Sequence, residues 1–141
     1  MYKGVNLSIA MSSETKHLLE EYVTKHLPSI KFNKFQHITL IYSNKESYDK
    51  IELLDKPIVA KFNSFQLFGA KNNMLVIELD CNELVDRHHF LLNNYDIVHD
   101  YSPYRPHCTL SYKSTDIDLS NLPIPDFDFI FNKERIKEII K

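Results

Sequence analysis

The chain has 141 residues, 43% hydrophobic and 26% charged, with a formal net charge of -2. That length and balance fit one soluble globular domain with a sizeable core. The lack of a basic excess argues against a general binder of duplex DNA or RNA, although a small anionic ligand needs only a local positive patch.

Val5-Asn6-Leu7-Ser8-Ile9-Ala10-Met11 alternates apolar and small polar residues and predicts a strand. Ser12 or Ser13 caps a following helix, with Glu14 in its first turn. Leu18, Leu19, Tyr22, Val23, His26 and Leu27 recur there at helical spacing, and Pro28 ends the helix. Residues 35–43 form the next strand, and the polar stretch 44–55 is a loop with a helical turn. Residues 58–68 and 74–79 form two strands joined by a turn over 69–73. A second amphipathic helix covers 82–94, with Leu84, His88, Leu91, Leu92 and Tyr95 on one stripe. Ser102-Pro103-Tyr104-Arg105-Pro106 is a rigid approach to a strand over 106–112. A Pro-rich polar segment, 116–125, precedes a last stretch, 127–140. That stretch has the composition of one long or two short strands, with a helix from Lys133 onward as the alternative.

No apolar run approaches the ~20 residues of a membrane span, and the N-terminus has no secretory h-region. With only Cys81 and Cys108 and no metal-type spacing, the expectation is a reduced, cytoplasmic protein without a disulfide. Gly4 and Gly69 are the only glycines, which argues against a phosphate-binding loop or a dinucleotide fold.

Two strings nearly copy each other: His37-Ile38-Thr39-Leu40-Ile41-Tyr42 and His107-Cys108-Thr109-Leu110-Ser111-Tyr112. Each reads His-x-Thr-Leu-x-Tyr. A lone His-x-Thr means little, but the flanking elements repeat as well: strand, helix, motif strand, loop, further strands. This predicts a single α+β domain of two pseudo-symmetric halves, about 1–75 and 76–141, with helices on the outer faces.

Side chains two apart on a strand point the same way, about 6.6 Å from each other. His37 and Thr39 therefore share a face, as do His107 and Thr109. Strict alternation puts Leu40 and Tyr42, and Cys108, Leu110 and Tyr112, on the opposite, core face. If the two motif strands lie together, two imidazoles and two hydroxyls converge. Histidine gives or takes protons near neutral pH, so the pair suits general acid–base work at a phosphodiester. The threonine hydroxyls suit non-bridging phosphate oxygens. No metal or other cofactor is needed in that scheme. Arg105, Lys113 and Lys45 would add positive potential. His26 and His88 read as half-buried core residues, and His88, His89 and His99 as a poor metal site.

These residues resemble the 2H phosphoesterase superfamily, which has two His-x-Thr motifs on a duplicated, two-lobed, mainly antiparallel fold with a central cleft and outer helices. Tyr104-Arg105-Pro106-His107-Cys108-Thr109-Leu110-Ser111-Tyr112 looks most like the second motif of the phage anti-CBASS phosphodiesterases, which destroy the cyclic oligonucleotide signals of bacterial antiviral defence. The first motif, with Tyr42-Ser43 after it, is similar to that branch too. The resemblance implies a metal-independent hydrolase of 3′–5′ bonds in cyclic di- or trinucleotides, such as cGAMP, acting in the bacterial cytoplasm. His37 and His107 would be the acid–base pair, and Thr39 and Thr109 would hold the phosphate. It further implies substrate contacts from Tyr2 and Phe68 as base platforms and from Glu134, with Phe68 where the family carries a tryptophan. No long nucleic acid and no membrane is implied. The alternatives are an RNA-end or 2′–5′ oligoadenylate phosphoesterase, or a sponge that binds a cyclic nucleotide without cleaving it.

Overall fold

The computed structural model describes residues 4–45, 50–100, 103–114 and 117–139. Within them the chain runs β1 (Val5–Met11), α1 (Ser13–His26), β2 (His37–Ser43), β3 (Ile58–Phe68), β4 (Met74–Asp80), α2 (Asn82–Asn94), β5 (His107–Ser111) and β6 (Phe129–Glu138). Strand, helix, strand, strand thus occurs twice. The final segment forms one long strand; no helix starts at Lys133.

Local chemistry explains the boundaries. Ser12 caps α1, its hydroxyl accepting from the Thr15 amide at 3.2 Å. The helix stops at Leu27 because Pro28 disfavours helical backbone in the residue before it. The β3–β4 hairpin turns through Gly69 at φ +92°, a left-handed conformation that a Cβ would strain.

All strand pairs are antiparallel, and the sheet order is β2-β1-β6-β3-β4-β5. The order shows that each half gives its last strand to the other. β6, from the second half, pairs with β1, and β3, from the first, pairs with β4. One lobe is therefore β2-β1-β6 and the other β5-β4-β3. Residues 58–60 of β3 also pair with β6 and join the lobes. The helices cross over too. Tyr22 of α1 stacks on Phe65 of β3, whereas His88 and Arg87 of α2 bond Leu40 of β2 and Glu134 of β6. Neither half can close its core alone. A single cluster runs from Leu7, Ile9 and Leu19 through Phe129 and Phe131 to Leu84 and Leu110.

Both motif strands carry an irregularity at the same place. Ser8 pairs with Thr39 and Leu7 with Ile41, so Leu40 is one residue extra against β1. Val76 pairs with Thr109 and Leu75 with Ser111, so Leu110 is one residue extra against β4. Each is a β-bulge, and a one-residue insertion reverses the side-chain alternation beyond it. Leu40 and Leu110 are fully buried, and Ile41 and Ser111 are buried next to them. Tyr42 and Tyr112 are therefore turned onto the His-Thr face. Strict alternation assigns them to the core, and the bulges correct that: Tyr112 is 51% exposed. Cys108, before the bulge, is fully buried as alternation requires, and burial pushes its thiol up to about 12.

Candidate active site

The motif strands β2 and β5 are the outer strands of the order, yet the sheet curls until they approach each other. A cleft of about 700 Å³ lies between the lobes. His37, Thr39 and Tyr42 line one side; His107, Thr109 and Tyr112 line the other. Phe68, Met74, His99, Tyr104 and Arg105 complete much of the wall.

The two histidines are held alike. His37 Nδ1 lies 3.2 Å from the Phe35 carbonyl and His107 Nδ1 lies 2.8 Å from the Arg105 carbonyl. A carbonyl only accepts, so each Nδ1 carries the proton and each Nε2 is left for chemistry. Burial lowers the pKa of both from the usual imidazole value. For His37 the Phe35 carbonyl opposes this, and the charge of His107 adds to it. For His107 the opposing groups are the Arg105 carbonyl and then the Glu78 carboxylate, while the Arg105 charge adds to the lowering. Only His107 thus has a carboxylate that favours its protonated form.

Each bulge is gripped by the segment that leads into the other motif. Tyr104, three residues before His107, donates its hydroxyl to the Thr39 carbonyl at 2.8 Å. The Leu40 carbonyl pairs with His88 Nδ1 at 2.7 Å, and the His88 ring stacks on Tyr104 at 3.9 Å and 6°. The Tyr42 amide donates to His99 Nδ1 at 3.1 Å. That bond needs an unprotonated nitrogen, and burial lowers His99 to about 4. In the other lobe Gln36 and Asn33 donate side-chain amides to the Thr109 carbonyl at 2.9 and 3.2 Å, and the Asn33 amide donates to the Leu110 carbonyl at 2.7 Å. These bonds satisfy carbonyls at the two bulges and tie the two lobes together across the cleft.

Of the other residues named from sequence, Phe68 and Arg105 reach the cleft and Glu134 does not. Phe68 meets the His107 ring edge-on at 4.9 Å, and the Arg105 guanidinium lies 4.5 Å over the Phe68 ring. Arg105 makes a two-pronged pair with Glu78, both contacts 2.8 Å, which largely cancels its charge. The expected positive potential from Arg105 is reduced accordingly, and Lys45 is likewise paired, with Asp96 at 2.6 Å. Glu134 points to the helix-packed face of β6. It is 4% exposed and holds Arg87 through two contacts of 2.9 Å and the Leu54 amide at 3.0 Å. A carboxylate so enclosed is a structural partner and not a wall of this cleft. Tyr2 lies outside the described residues. Sequence reasoning missed Glu78, Tyr104 and the two motif tyrosines as site residues. The tyrosines were visible in the repeat, but only the bulges show which way they face. Among the described residues no three His, Cys, Asp or Glu side chains converge as metal ligands.

The family model described as "Anti-CBASS protein Acb1" matches residues 3–141 of the chain. The anti-CBASS protein Acb1 of Vibrio phage KVP40 is 30% identical over 113 residues, covering 79% of this chain and 71% of the relative. Among solved structures, E. coli LigT complexed with NADP+ superposes with a TM-score of 0.67 at 14% identity, covering 96% of this chain and 87% of that one. LigT complexed with 3′-AMP gives a TM-score of 0.62 at 13% identity, with the same coverage. TT0787 of Thermus thermophilus gives 0.58 at 14%, covering 94% and 83%. The LigT-like fold extends over nearly the whole chain.

Proposed function

The chain belongs to the anti-CBASS protein Acb1 family, and from that premise we propose that it is a phosphodiesterase cleaving 3′–5′ bonds of cyclic di- and trinucleotide signals. The observation that carries this reading is the pair of motifs on one cleft: two imidazoles with Nδ1 pinned by a backbone carbonyl, and two threonines beside them. A solved neighbour of the same fold, LigT, carries 3′-AMP, a nucleotide with a 3′-phosphate.

In this reading the two histidines take different roles. His37, with no carboxylate beside it, acts as the base, and His107, whose protonated form Glu78 favours and Arg105 opposes, acts as the acid. His37 Nε2 takes the proton of the ribose 2′-hydroxyl, and the 2′-oxygen attacks the adjacent phosphorus. The bond from phosphorus to the 5′-oxygen breaks, and His107 protonates that oxygen. The product is a 2′,3′-cyclic phosphate. Water, deprotonated by His107, then opens it to a 3′-phosphate while His37 returns its proton to the 2′-oxygen. Thr39 and Thr109 hydrogen-bond the non-bridging oxygens as negative charge builds there. No metal enters the scheme. Phe68, beside His107, offers a face for a base.

The test is incubation with cyclic dinucleotides, cyclic trinucleotides, 2′–5′ oligoadenylate and 2′,3′-cyclic nucleotides, with and without chelator. Cleavage of the cyclic oligonucleotides should persist in chelator, and His37→Ala or His107→Ala should each slow it at least ~10²-fold. Full activity in either variant would sink the site. Turnover confined to 2′–5′ oligoadenylate would move the substrate class, and tight binding without product would make the protein a sponge.

A further inference from the structure

The strand register places a row of cations on the sheet face of the first motif that none of the motif residues accounts for. Opposite residues on neighbouring antiparallel strands point to the same face. Ala10 pairs with His37 on one side and Lys133 on the other; Ser8 pairs with Thr39 and Arg135; Asn6 pairs with Tyr42 and Lys137. Lys133, Arg135 and Lys137 therefore stand on the same face as His37, Thr39 and Tyr42. They are two strands away, about 10 Å, and all three are exposed. Glu134, between them, is turned to the opposite face and buried. None of the residues facing the three cations across β1 and β2 is acidic. A chain of net charge -2 thus concentrates three positive charges on one stripe.

The pseudo-symmetry gives this stripe the place that a cleft-lining strand holds in the other lobe. In the other lobe β3 is the third strand from the motif strand, and its Phe68, opposite Met74, lines the cleft. β6 holds the same third place in its lobe. Where β3 presents neutral Ser64, Gln66 and Phe68 on the cleft side, β6 presents Lys133, Arg135 and Lys137.

We propose that Lys133, Arg135 and Lys137 form a second anion subsite, which takes a non-scissile phosphodiester of a substrate that carries more than one. The inference rests on the reading of the cleft as a phosphodiesterase site and narrows its substrate. The His-Thr pairs hold the scissile phosphate, and a one-phosphate nucleotide leaves the β6 stripe empty. A cyclic dinucleotide or trinucleotide has a further phosphate to offer it. Arg135, in the middle, has the planar fork that suits two phosphate oxygens at once.

The test is calorimetric binding in the His37→Ala protein, where turnover does not interfere. The ligands are a 3′,3′-linked cyclic dinucleotide, with two phosphodiesters, and 2′,3′-cyclic AMP, with one. Adding Arg135→Ala should weaken the dinucleotide about tenfold and shrink the ratio of the two affinities, as loss of one charge-assisted contact would. Lys133→Ala with Lys137→Ala should flatten the dependence of log Kd on salt, since two of the screened attractions are gone. Lys25→Ala, at the end of α1, removes the same charge elsewhere and should keep the ratio. Equal loss for both ligands, no loss, or no dinucleotide binding by the parent protein would overturn the subsite. Lack of turnover by the unsubstituted protein would instead sink the activity while leaving this binding result standing.

Discussion

Replacing Glu134 by Gln separates two roles that a carboxylate on β6 could have. Its oxygens accept from Arg87 Nε and Nη2 at 2.9 Å and from the Leu54 amide at 3.0 Å, and both side chains are almost completely enclosed, 7% exposed for Arg87 and none for Glu134. Glutamine keeps one carbonyl for Leu54, but its amide group faces the guanidinium donor to donor. Breaking a buried pair by removing one partner costs about 3–5 kcal/mol, because the remaining charge is left uncompensated. The retained carbonyl puts the expected cost near ~3 kcal/mol, or roughly 10 °C in Tm for a chain of this size. Urea denaturation of Glu134→Gln measures it, with KM for a cyclic dinucleotide taken well below the melting range. The double variant Arg87→Met with Glu134→Met should regain much of the loss, since a buried pair replaced by apolar groups of similar volume is often neutral. Stability within ~0.5 kcal/mol of the parent, together with a raised KM, would refute the structural role and return Glu134 to the substrate.

Three further outcomes follow from the site. Glu78 favours protonated His107, so Glu78→Gln should lower that pKa further and move the alkaline limb of the kcat/KM profile to lower pH; a downward shift of the acid limb with the alkaline limb unmoved would reverse the acid–base assignment. Tyr104→Phe removes one hydroxyl from the Thr39 carbonyl but keeps the ring on His88, so it should cost about 1 kcal/mol of stability. Its kcat should fall roughly tenfold as the strand bearing His37 and Thr39 loosens, and unchanged kcat in the folded protein would reduce the hydroxyl to a stability role. Tyr42→Leu and Tyr112→Leu should each cost less than about 1 kcal/mol in chemical denaturation, whereas truncation of a core aromatic costs about 3–5 kcal/mol; a core-sized loss would contradict the bulge register.

The elements were legible because their signals are local. Alternation at Val5–Met11, the Ser12 cap, Pro28 and Gly69 each act through a few neighbouring residues. The site was legible in part for a different reason: duplication prints the same residues twice, and period two puts His37 with Thr39 and His107 with Thr109 without reference to the rest of the fold. The same argument failed three residues on. A bulge depends on how a partner strand is paired, and nothing within Thr-Leu-x-Tyr states that Leu40 and Leu110 are the extra residues. Glu134 failed likewise, since its partner Arg87 is 47 positions away, on a helix.

The sequence by itself therefore determined which groups are available: two imidazoles, two hydroxyls, a repeated strand–helix–strand unit and an apolar face to bury. Those follow from residue type and backbone period, which are properties of short segments. Tertiary structure alone decided where they meet. Exchange of β3 and β6 between the halves, and the curl that brings β2 to β5, place the two motifs on one cleft. The bulges turn the tyrosines toward it, and the pairing of β6 with β1 puts Lys133, Arg135 and Lys137 on the same sheet face as the first motif. Pairing between distant strands is set by burial of the whole apolar surface at once, and no window of sequence contains that sum.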